Sequence, residues 1–186
     1  MAPQIPNPLK APTRLITTHN AEGKAIISDA MPEQPKSQVV EDGNATFYLS
    51  YCTDQYPVDM NKDQDLKAYE KYSAEPPGLV VSSGTVLRHV DIGPGNISPM
   101  HRTVSLDYGI VIEGEIELIL DSGETRRMWP GDICVQRGTM HAWRNASDSK
   151  WARMLYVLQP SKPLQVGSEV LGEDYGGSMK GVRAST

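Results

Sequence analysis

Two histidines and one aspartate in the second half of the chain are the residues best suited to chemistry. His101 and Asp107 lie in one glycine-punctuated stretch, and His141 lies in a second. Imidazole nitrogens and carboxylate oxygens bind divalent metal ions, and the same groups transfer protons in general acid/base catalysis. The chain contains only 4 histidines. Two of them in such similar settings therefore indicate a functional site.

The spacing of these residues predicts that their side chains meet. His101, Thr103 and Asp107 all occupy odd-numbered positions. If the segment is one strand, they lie on a single face, because successive side chains of a strand alternate. If the chain turns at 104–106, two adjoining strands can still direct them to one point. Either geometry predicts a polar pocket wall, and a ligand or metal would supply the partners that buried polar groups need.

Short strands punctuated by glycine dominate the chain from Leu79 onward and predict the elements that position these residues. No helix of crossover length separates the strands, which excludes a parallel sheet and favours a closed antiparallel all-β fold. The predicted strands are Thr85–Asp91, His101–Ser105, Asp107–Ile112, Glu115–Asp121, Thr125–Trp129, Asp132–Gln136 and Trp151–Gln159.

The first part of the chain reads differently. Residues 1–13 are rich in proline and predict an irregular arm, and residues 14–27 predict a hairpin. Residues 45–51 are strand-like, and 61–74 form the one convincing helix candidate. We therefore divide the chain into an N-terminal segment 1–78 packed on the barrel, a barrel core 79–160 and a C-terminal tail 161–186.

Composition narrows the function classes. The 186-residue chain has a net charge of −5 and no basic stripe, so we expect no nucleic-acid partner. It has no apolar run long enough to span a membrane, and its N-terminus lacks the charged and apolar regions of a signal peptide. Cys52 and Cys134 are not in a metal-binding or redox spacing. We expect a cytoplasmic protein with no membrane partner.

Two motifs in this chain resemble those of the cupin superfamily, small antiparallel jelly-roll barrels. Gly95, His101, Asp107 and Gly114 have a spacing similar to that of the first cupin motif. Gly131, Gly138, His141 and Asn145 have a spacing similar to that of the second motif, with one residue fewer after the first glycine. The resemblance covers about residues 79–160. It implies an antiparallel jelly-roll cupin barrel with an N-terminal arm and one short helix.

The chain departs from the cupin pattern at three positions. Thr103 stands at the usual second histidine, Asp107 at the usual glutamate and Gln136 at the usual proline. The resemblance then implies a metal set of His101, Asp107 and His141, able to hold Fe, Zn, Mn or Ni. A metal-free site, in which the histidines transfer protons and Asp107 tunes them, stays open.

The same stretches resemble a narrower group of single-domain cupins from fungi and bacteria, often found with secondary-metabolite gene clusters. That resemblance implies a decarboxylase or dehydratase (a lyase) that acts on a small oxygenated organic acid or polyketide-type intermediate. An Fe(II) dioxygenase, an isomerase or cyclase, and a non-catalytic small-molecule-binding cupin are the alternatives. The resemblance also implies a homodimer. The expected catalytic residues are His101, His141, Asp107 and Tyr108, and the expected substrate-binding residues are Thr103, Arg88 and Trp143.

Overall fold

Two facing antiparallel sheets make up most of the protein. The computed structural model describes residues 6–40, 44–176, 179 and 181–185. The first five residues of the predicted arm and part of the predicted tail lie outside these ranges. Thirteen strands are described: β1 Thr17–His19, β2 Ala25–Ile27, β3 Ser37–Val40, β4 Ala45–Cys52, β5 Val86–Ile92, β6 Ser105–Glu113, β7 Ile116–Leu120, β8 Thr125–Met128, β9 Ile133–Arg137, β10 His141–Asn145, β11 Ala152–Pro160, β12 Leu164–Val166 and β13 Glu169–Leu171.

The larger sheet has six strands in the order β3-β4-β5-β11-β6-β9, and the smaller has three in the order β10-β7-β8. Neighbouring strands in both sheets run antiparallel. Several neighbours are distant in sequence, as β11 is from β5 and β6. This is the topology of a jelly roll, in which two sheets enclose a common interior. The all-β antiparallel jelly-roll prediction is confirmed.

The N-terminal segment extends the larger sheet. The predicted hairpin forms as β1 and β2, which pair only with each other. Strands β3 and β4 join the edge of the larger sheet through β5. The predicted helix is confirmed as a short 3-10 turn at Asn61–Asp63 followed by α1, Gln64–Ala74, which buries Leu66 and Tyr69 against β4. No helix among the described residues is long and apolar enough to cross a membrane.

Three strand predictions need correction. His101–Ser105 is not a strand: His101 and Arg102 form isolated bridges, the chain bends at 103–104, and β6 begins at Ser105. The segment that carries His141 is itself a strand, β10, which the pattern did not separate from the surrounding turns. The predicted tail contains the hairpin β12–β13. The first two differences depend on pairing partners that lie far away in sequence, whereas β12 and β13 pair with each other locally.

Two apolar clusters fill the interior. One lies between the sheets and includes Val90, Val111, Ile116, Trp143 and Met154. The other lies at the end of the barrel nearest α1 and includes Leu49, Tyr69, Val81, Val86 and Leu158. Strand periodicity explains this arrangement, since the residues at positions two apart in β5 and β11 face the interior together.

Gly114, in the turn between β6 and β7, is expected to be a strict requirement of the fold. Its φ is +82°, and a Cβ there would lie 2.7 Å from the Ala152 Cβ. Gly114→Ala should lower the free energy of unfolding by about 2–4 kcal/mol, because a left-handed backbone and a clash add together. Urea denaturation measures this.

Gly123→Ala is the matched control, because Gly123 has a φ of +87° and no atom within 4 Å of the added Cβ. Gly123→Ala should lower the free energy of unfolding by only about 1–2 kcal/mol, the cost of a left-handed backbone at alanine. Equal losses in the two variants would contradict a packing role for Gly114.

Candidate functional site

A cavity between the two sheets contains most of the residues expected to be functional. The space between its walls is about 690 Å³, a volume that includes open solvent at the mouth. Its walls are mainly apolar. The polar side chains that line it include Arg88, Ser98, His101, Thr103, Asp107 and His141.

His101 and His141 are brought together by backbone pairing. The His101 N–H donates to the His141 carbonyl at 2.8 Å, and the His141 N–H donates to the His101 carbonyl at 2.9 Å. Such a pair places two side chains next to each other on one face. The imidazole centroids are accordingly 4.3 Å apart. Both histidines are buried.

Each histidine is held by the carbonyl two residues before it. The His101 Nδ1 lies 2.8 Å from the Pro99 oxygen, and the His141 Nδ1 lies 2.9 Å from the Thr139 oxygen. A carbonyl only accepts hydrogen bonds, so both Nδ1 atoms carry the proton. Each neutral ring therefore keeps a lone pair on Nε2. Two such lone pairs in one cavity are complemented by a hydroxyl group, a transferable proton or a metal ion.

Asp107, at the start of β6, supplies the carboxyl group of the cavity. The Ser105 hydroxyl donates to Thr103 at 2.7 Å, and the Thr103 hydroxyl is 3.3 Å from the Asp107 Oδ2. The other oxygen, Oδ1, is buried and has no hydrogen-bond partner among the described residues. A buried polar atom without a partner is costly. This oxygen is therefore available to a ligand.

Burial shifts the acid/base properties of these groups towards their neutral forms. It raises the pKa of Asp107 to about 6, although the Ser105 and Thr103 hydroxyls partly oppose the shift. Burial, with a smaller effect of neighbouring His101, lowers the pKa of His141 to about 3. Burial also lowers the pKa of His101. A protonatable carboxyl thus shares the cavity with two neutral imidazoles, a separation of pKa values typical of acid/base sites.

Asp107→Asn is expected to stabilise the protein near neutral pH but not in weak acid. The folded-state pKa of about 6 exceeds the value of about 4 for an unfolded aspartate. The folded state therefore binds the proton more tightly, and the wild type loses stability as pH rises between these values. The gain from the variant should grow over this window to about 3 kcal/mol.

Urea denaturation of both proteins at several pH values measures this gain. His141 acts in the opposite direction, since its lowered pKa favours the folded state as pH rises. Subtracting wild type from variant cancels that effect. A difference that does not change with pH would contradict the raised pKa of Asp107.

The structure brings together six of the seven residues predicted for the site. His101, Thr103, Asp107, His141, Arg88 and Trp143 all line the cavity. Tyr108 does not. It follows Asp107 directly in β6, and successive side chains of a strand point to opposite faces, so Tyr108 is half-buried on the other side of the sheet. The prediction that Tyr108 is a catalytic residue in this cavity therefore needs correction.

Two further aromatic residues line the cavity and were missed from the sequence. Tyr156 in β11 extends a row of neighbouring aromatic rings. The ring centroids of Tyr156 and Trp143 are 5.8 Å apart, and those of Trp143 and His141 are 5.6 Å apart. The position of Tyr156 two residues from Met154 and Leu158 would have indicated an inward side chain. Phe47 comes from β4 in the N-terminal segment. No local signal places that strand beside β5.

The predicted metal-ligand set fits a metal ion incompletely. The two free Nε2 atoms are suitable ligands, and their Nδ1 hydrogen bonds are of the kind that orient ligating histidines. However, within the described ranges no group of three or more His, Cys, Asp and Glu side chains converges as an ion-binding cluster. Thr103, at the usual histidine position, bonds to Asp107 instead. Metal binding stays a prediction, and the reaction proposed below uses no metal.

Comparison with known proteins agrees with this architecture. Residues 88–158 match the family model described as a cupin domain. The chain is also 46% identical over 162 residues to the cupin-domain-containing oxidoreductase virC of Hypocrea virens, covering 85% of this chain and 80% of that protein. The chain belongs to the cupin family. The match to the family model includes the cavity-lining residues from Arg88 to Leu158.

Other relatives of this cupin come from fungal biosynthesis clusters. It is 44% identical over 164 residues to phomopsin biosynthesis cluster protein D of Diaporthe leptostromiformis, covering 88% of this chain and 86% of that protein. Among solved structures, the polyketide cyclase RemF from Streptomyces resistomycificus is 17% identical and covers 81% of this chain and 82% of that chain, with a TM-score of 0.46. The identities to the two fungal proteins confirm the resemblance to fungal secondary-metabolism cupins.

Proposed function

We propose that this cupin is an acid/base lyase that acts on a small oxygenated organic acid or polyketide-type intermediate, by dehydration or decarboxylation. The observation that carries the proposal is the shared cavity of two neutral histidines and a protonatable Asp107 with a free Oδ1. The relatives named as biosynthesis-cluster proteins support a role in a biosynthetic pathway.

The groups present can perform a dehydration without a cofactor. A neutral imidazole Nε2 removes a proton from the carbon next to a substrate carbonyl. Protonated Asp107 donates a proton to the hydroxyl on the following carbon. The C–H and C–O bonds break, a C=C bond forms and water leaves. Proton exchange with solvent then returns the imidazolium to its neutral form and the carboxylate to its acid form.

Decarboxylation uses the same groups in a different order. The C–C bond to the carboxylate breaks, carbon dioxide leaves and an enolate remains. Protonated Asp107 can donate a hydrogen bond to the enolate oxygen, which stabilises the developing charge. Asp107 then transfers its proton to the enolate carbon, and solvent returns a proton to the Asp107 carboxylate.

The test is a panel of small aromatic and aliphatic β-hydroxy ketones and β-keto acids incubated with the purified protein. Loss of water or carbon dioxide, followed by mass spectrometry, is the expected result. The proposal fails if no panel compound is dehydrated or decarboxylated faster with protein than with buffer. Solvent deuterium in the recovered substrate would report proton abstraction without elimination, as an isomerase or cyclase requires.

A metal-dependent oxidoreductase is the second candidate. The names of relatives between 38% and 46% identical support it, as do the two free imidazole nitrogens. It predicts bound metal by elemental analysis and consumption of oxygen with the same panel after loading with Fe(II). A lyase consumes no oxygen, so one oxygen-electrode trace separates the two. Binding of panel compounds without turnover would indicate a non-catalytic cupin.

We also propose that the protein is a homodimer. Strand β9 lies at the edge of the larger sheet, and its Ile133 and Val135 are 61% and 53% exposed. Ile112 nearby in β6 is 45% exposed. Contiguous apolar exposure of this kind marks interaction surfaces. Light scattering should give twice the chain mass for the wild type.

Val135→Asp should convert that species to a monomer, because the new carboxylate would be buried without a partner at the interface. Val39→Asp is the control, since Val39 is 65% exposed on the far edge strand β3, slightly more than Val135. It should leave the mass unchanged. A monomeric wild type would refute the proposal.

A further inference from the structure

We propose that Arg88 binds a carboxylate group of the substrate at one end of the cavity, while the histidines and Asp107 act at the other. This inference rests on the proposed function and adds to it the substrate class, an acid whose carboxylate lies away from the reacting atoms. Arg88 lies in β5, is 4% exposed and lines the cavity.

Arg88 lacks the partner that a buried cation normally has. One guanidinium nitrogen donates to the Gly78 carbonyl at 2.9 Å, and the group lies 5.1 Å from the centre of the Phe47 ring. No carboxylate in the described part of the chain forms an ion pair with it. Arg153, the other buried arginine, is held by two hydrogen bonds from its guanidinium to Asp91. Burying a charge without such a partner is costly.

The titratable groups that act on Arg88 do not supply the missing charge. These are Cys52 and Tyr175. Burial raises the pKa of each to about 12, so both are neutral near pH 7. Burial lowers the pKa of Arg88 itself to about 10, which leaves the guanidinium protonated. Among the described residues, this positive charge at the cavity has no negative counterpart.

Strand register places this charge at a distance from the catalytic groups. Arg88 pairs with Tyr156, and Tyr156 pairs with Gly109, two residues along β6 from Asp107. Two strand spacings and a two-residue step separate the Cα atoms of Arg88 and Asp107 by about 12 Å. On β11, which lies between the strands of Arg88 and Asp107, Tyr156 and Leu158 line the cavity.

A substrate with an apolar middle and two oxygenated ends matches this arrangement. Its carboxylate would meet Arg88, and its carbonyl or hydroxyl would meet the histidines and Asp107. A planar guanidinium fits a carboxylate through paired hydrogen bonds. One cation among apolar walls balances a single negative charge, which favours a carboxylate over a phosphate dianion.

The test compares binding of 3-phenylpropanoate with that of 3-phenylpropanamide, its neutral amide of the same shape, by calorimetry near pH 7.5. Wild type should bind the acid about 10- to 100-fold more tightly, the effect of one charge-assisted pair. Arg88→Met should remove this preference, and Arg88→Lys should retain part of it. Arg144→Met is the control, because Arg144 pairs with Glu117 on the smaller sheet at a half-exposed position.

Equal binding of acid and amide to wild type, or no binding of the acid, overturns the proposal. So does an Arg88→Met variant that keeps the acid preference. If Arg88→Met lowers the thermal unfolding midpoint enough to prevent binding, Arg88→Lys and Arg88→Gln decide between charge and packing.

His141→Gln separates this inference from the proposed function. That variant should keep the acid preference, since His141 is not the carboxylate-binding residue. An acid preference in a protein that turns over no panel compound supports Arg88 and refutes the lyase. Turnover of neutral panel compounds by a protein without any acid preference supports the lyase and refutes the role of Arg88.

Discussion

His141→Gln is expected to lower the turnover rate of this cupin on its active panel compound by about 100- to 10,000-fold, the usual contribution of general acid/base catalysis. Glutamine preserves approximate size and polarity but cannot accept a proton from carbon. The free Nε2 of His141 is available because its Nδ1 is bonded to the Thr139 carbonyl. The measurement is the initial rate at saturating substrate, together with the KM.

The control for this variant is His19→Gln, which changes an exposed histidine in the β1–β2 hairpin. His19→Gln should leave the rate within about twofold of wild type, because substitutions at exposed positions away from the core and the site usually have small effects. Far-ultraviolet circular dichroism should show both variants folded. If His141→Gln retained most of the wild-type rate, the histidine pair would have no part in proton transfer.

Asp91→Ala is expected to be the most destabilising of the variants at a site away from the cavity. Asp91 is fully buried and accepts hydrogen bonds from the Arg153 Nε at 2.5 Å and Nη2 at 2.7 Å. Removing it leaves a buried guanidinium without its countercharge. We expect the free energy of unfolding to fall by about 3–5 kcal/mol, measured by urea denaturation.

The same carboxylate anchors the N-terminal arm to the outside of the larger sheet. The Asn7 side chain donates to the Asp91 Oδ2 at 2.8 Å, and the Arg153 Nη1 donates to the Lys10 carbonyl at 2.8 Å. Asp91→Ala should therefore also speed proteolysis of the arm. Fluorescence of a dye attached at the N-terminus would report its release.

Glu115→Ala is the matched control, because the Glu115–Arg127 pair is 3.2 Å long but exposed to solvent on both sides. Its loss should cost less than about 1 kcal/mol. The double variant Asp91→Leu/Arg153→Met should recover much of the stability, since apolar pairs often replace buried ion pairs well. Similar losses from Asp91→Ala and Glu115→Ala would show that burial of the ion pair is unimportant.

Much of the fold could be predicted because its signals are local. Short strand-like segments punctuated by glycine indicated β5, β7, β8, β9 and β11, and the spacing of Leu66 and Tyr69 indicated α1. The glycines and histidines of the two motifs indicated a cupin barrel. His101, Asp107 and His141 could be assigned to one pocket, although the spacing alone left open whether one strand or two carried the first two.

The errors also have identifiable causes. His101–Ser105 has the alternation of a strand, but a strand needs a continuous partner, and only His101 and Arg102 find bridging partners there. Tyr108 was predicted to be catalytic because a phenol can transfer a proton. Its neighbour Asp107 was already expected to point into the cavity, and successive side chains of a strand point to opposite faces. Strand phase could have excluded Tyr108 without a structure.

The sequence by itself determined the barrel, most of its strands and the identity of three residues at its centre. These follow from residue types and from spacings of two to seven positions, which act within a strand or turn. Only the tertiary structure decided that Phe47 joins the cavity and that both Nδ1 atoms are occupied. It also decided that Asp91 pairs with Arg153, whereas no carboxylate among the described residues pairs with Arg88. The physical reason is that hydrogen-bond partners and countercharges come from chain segments far apart in sequence.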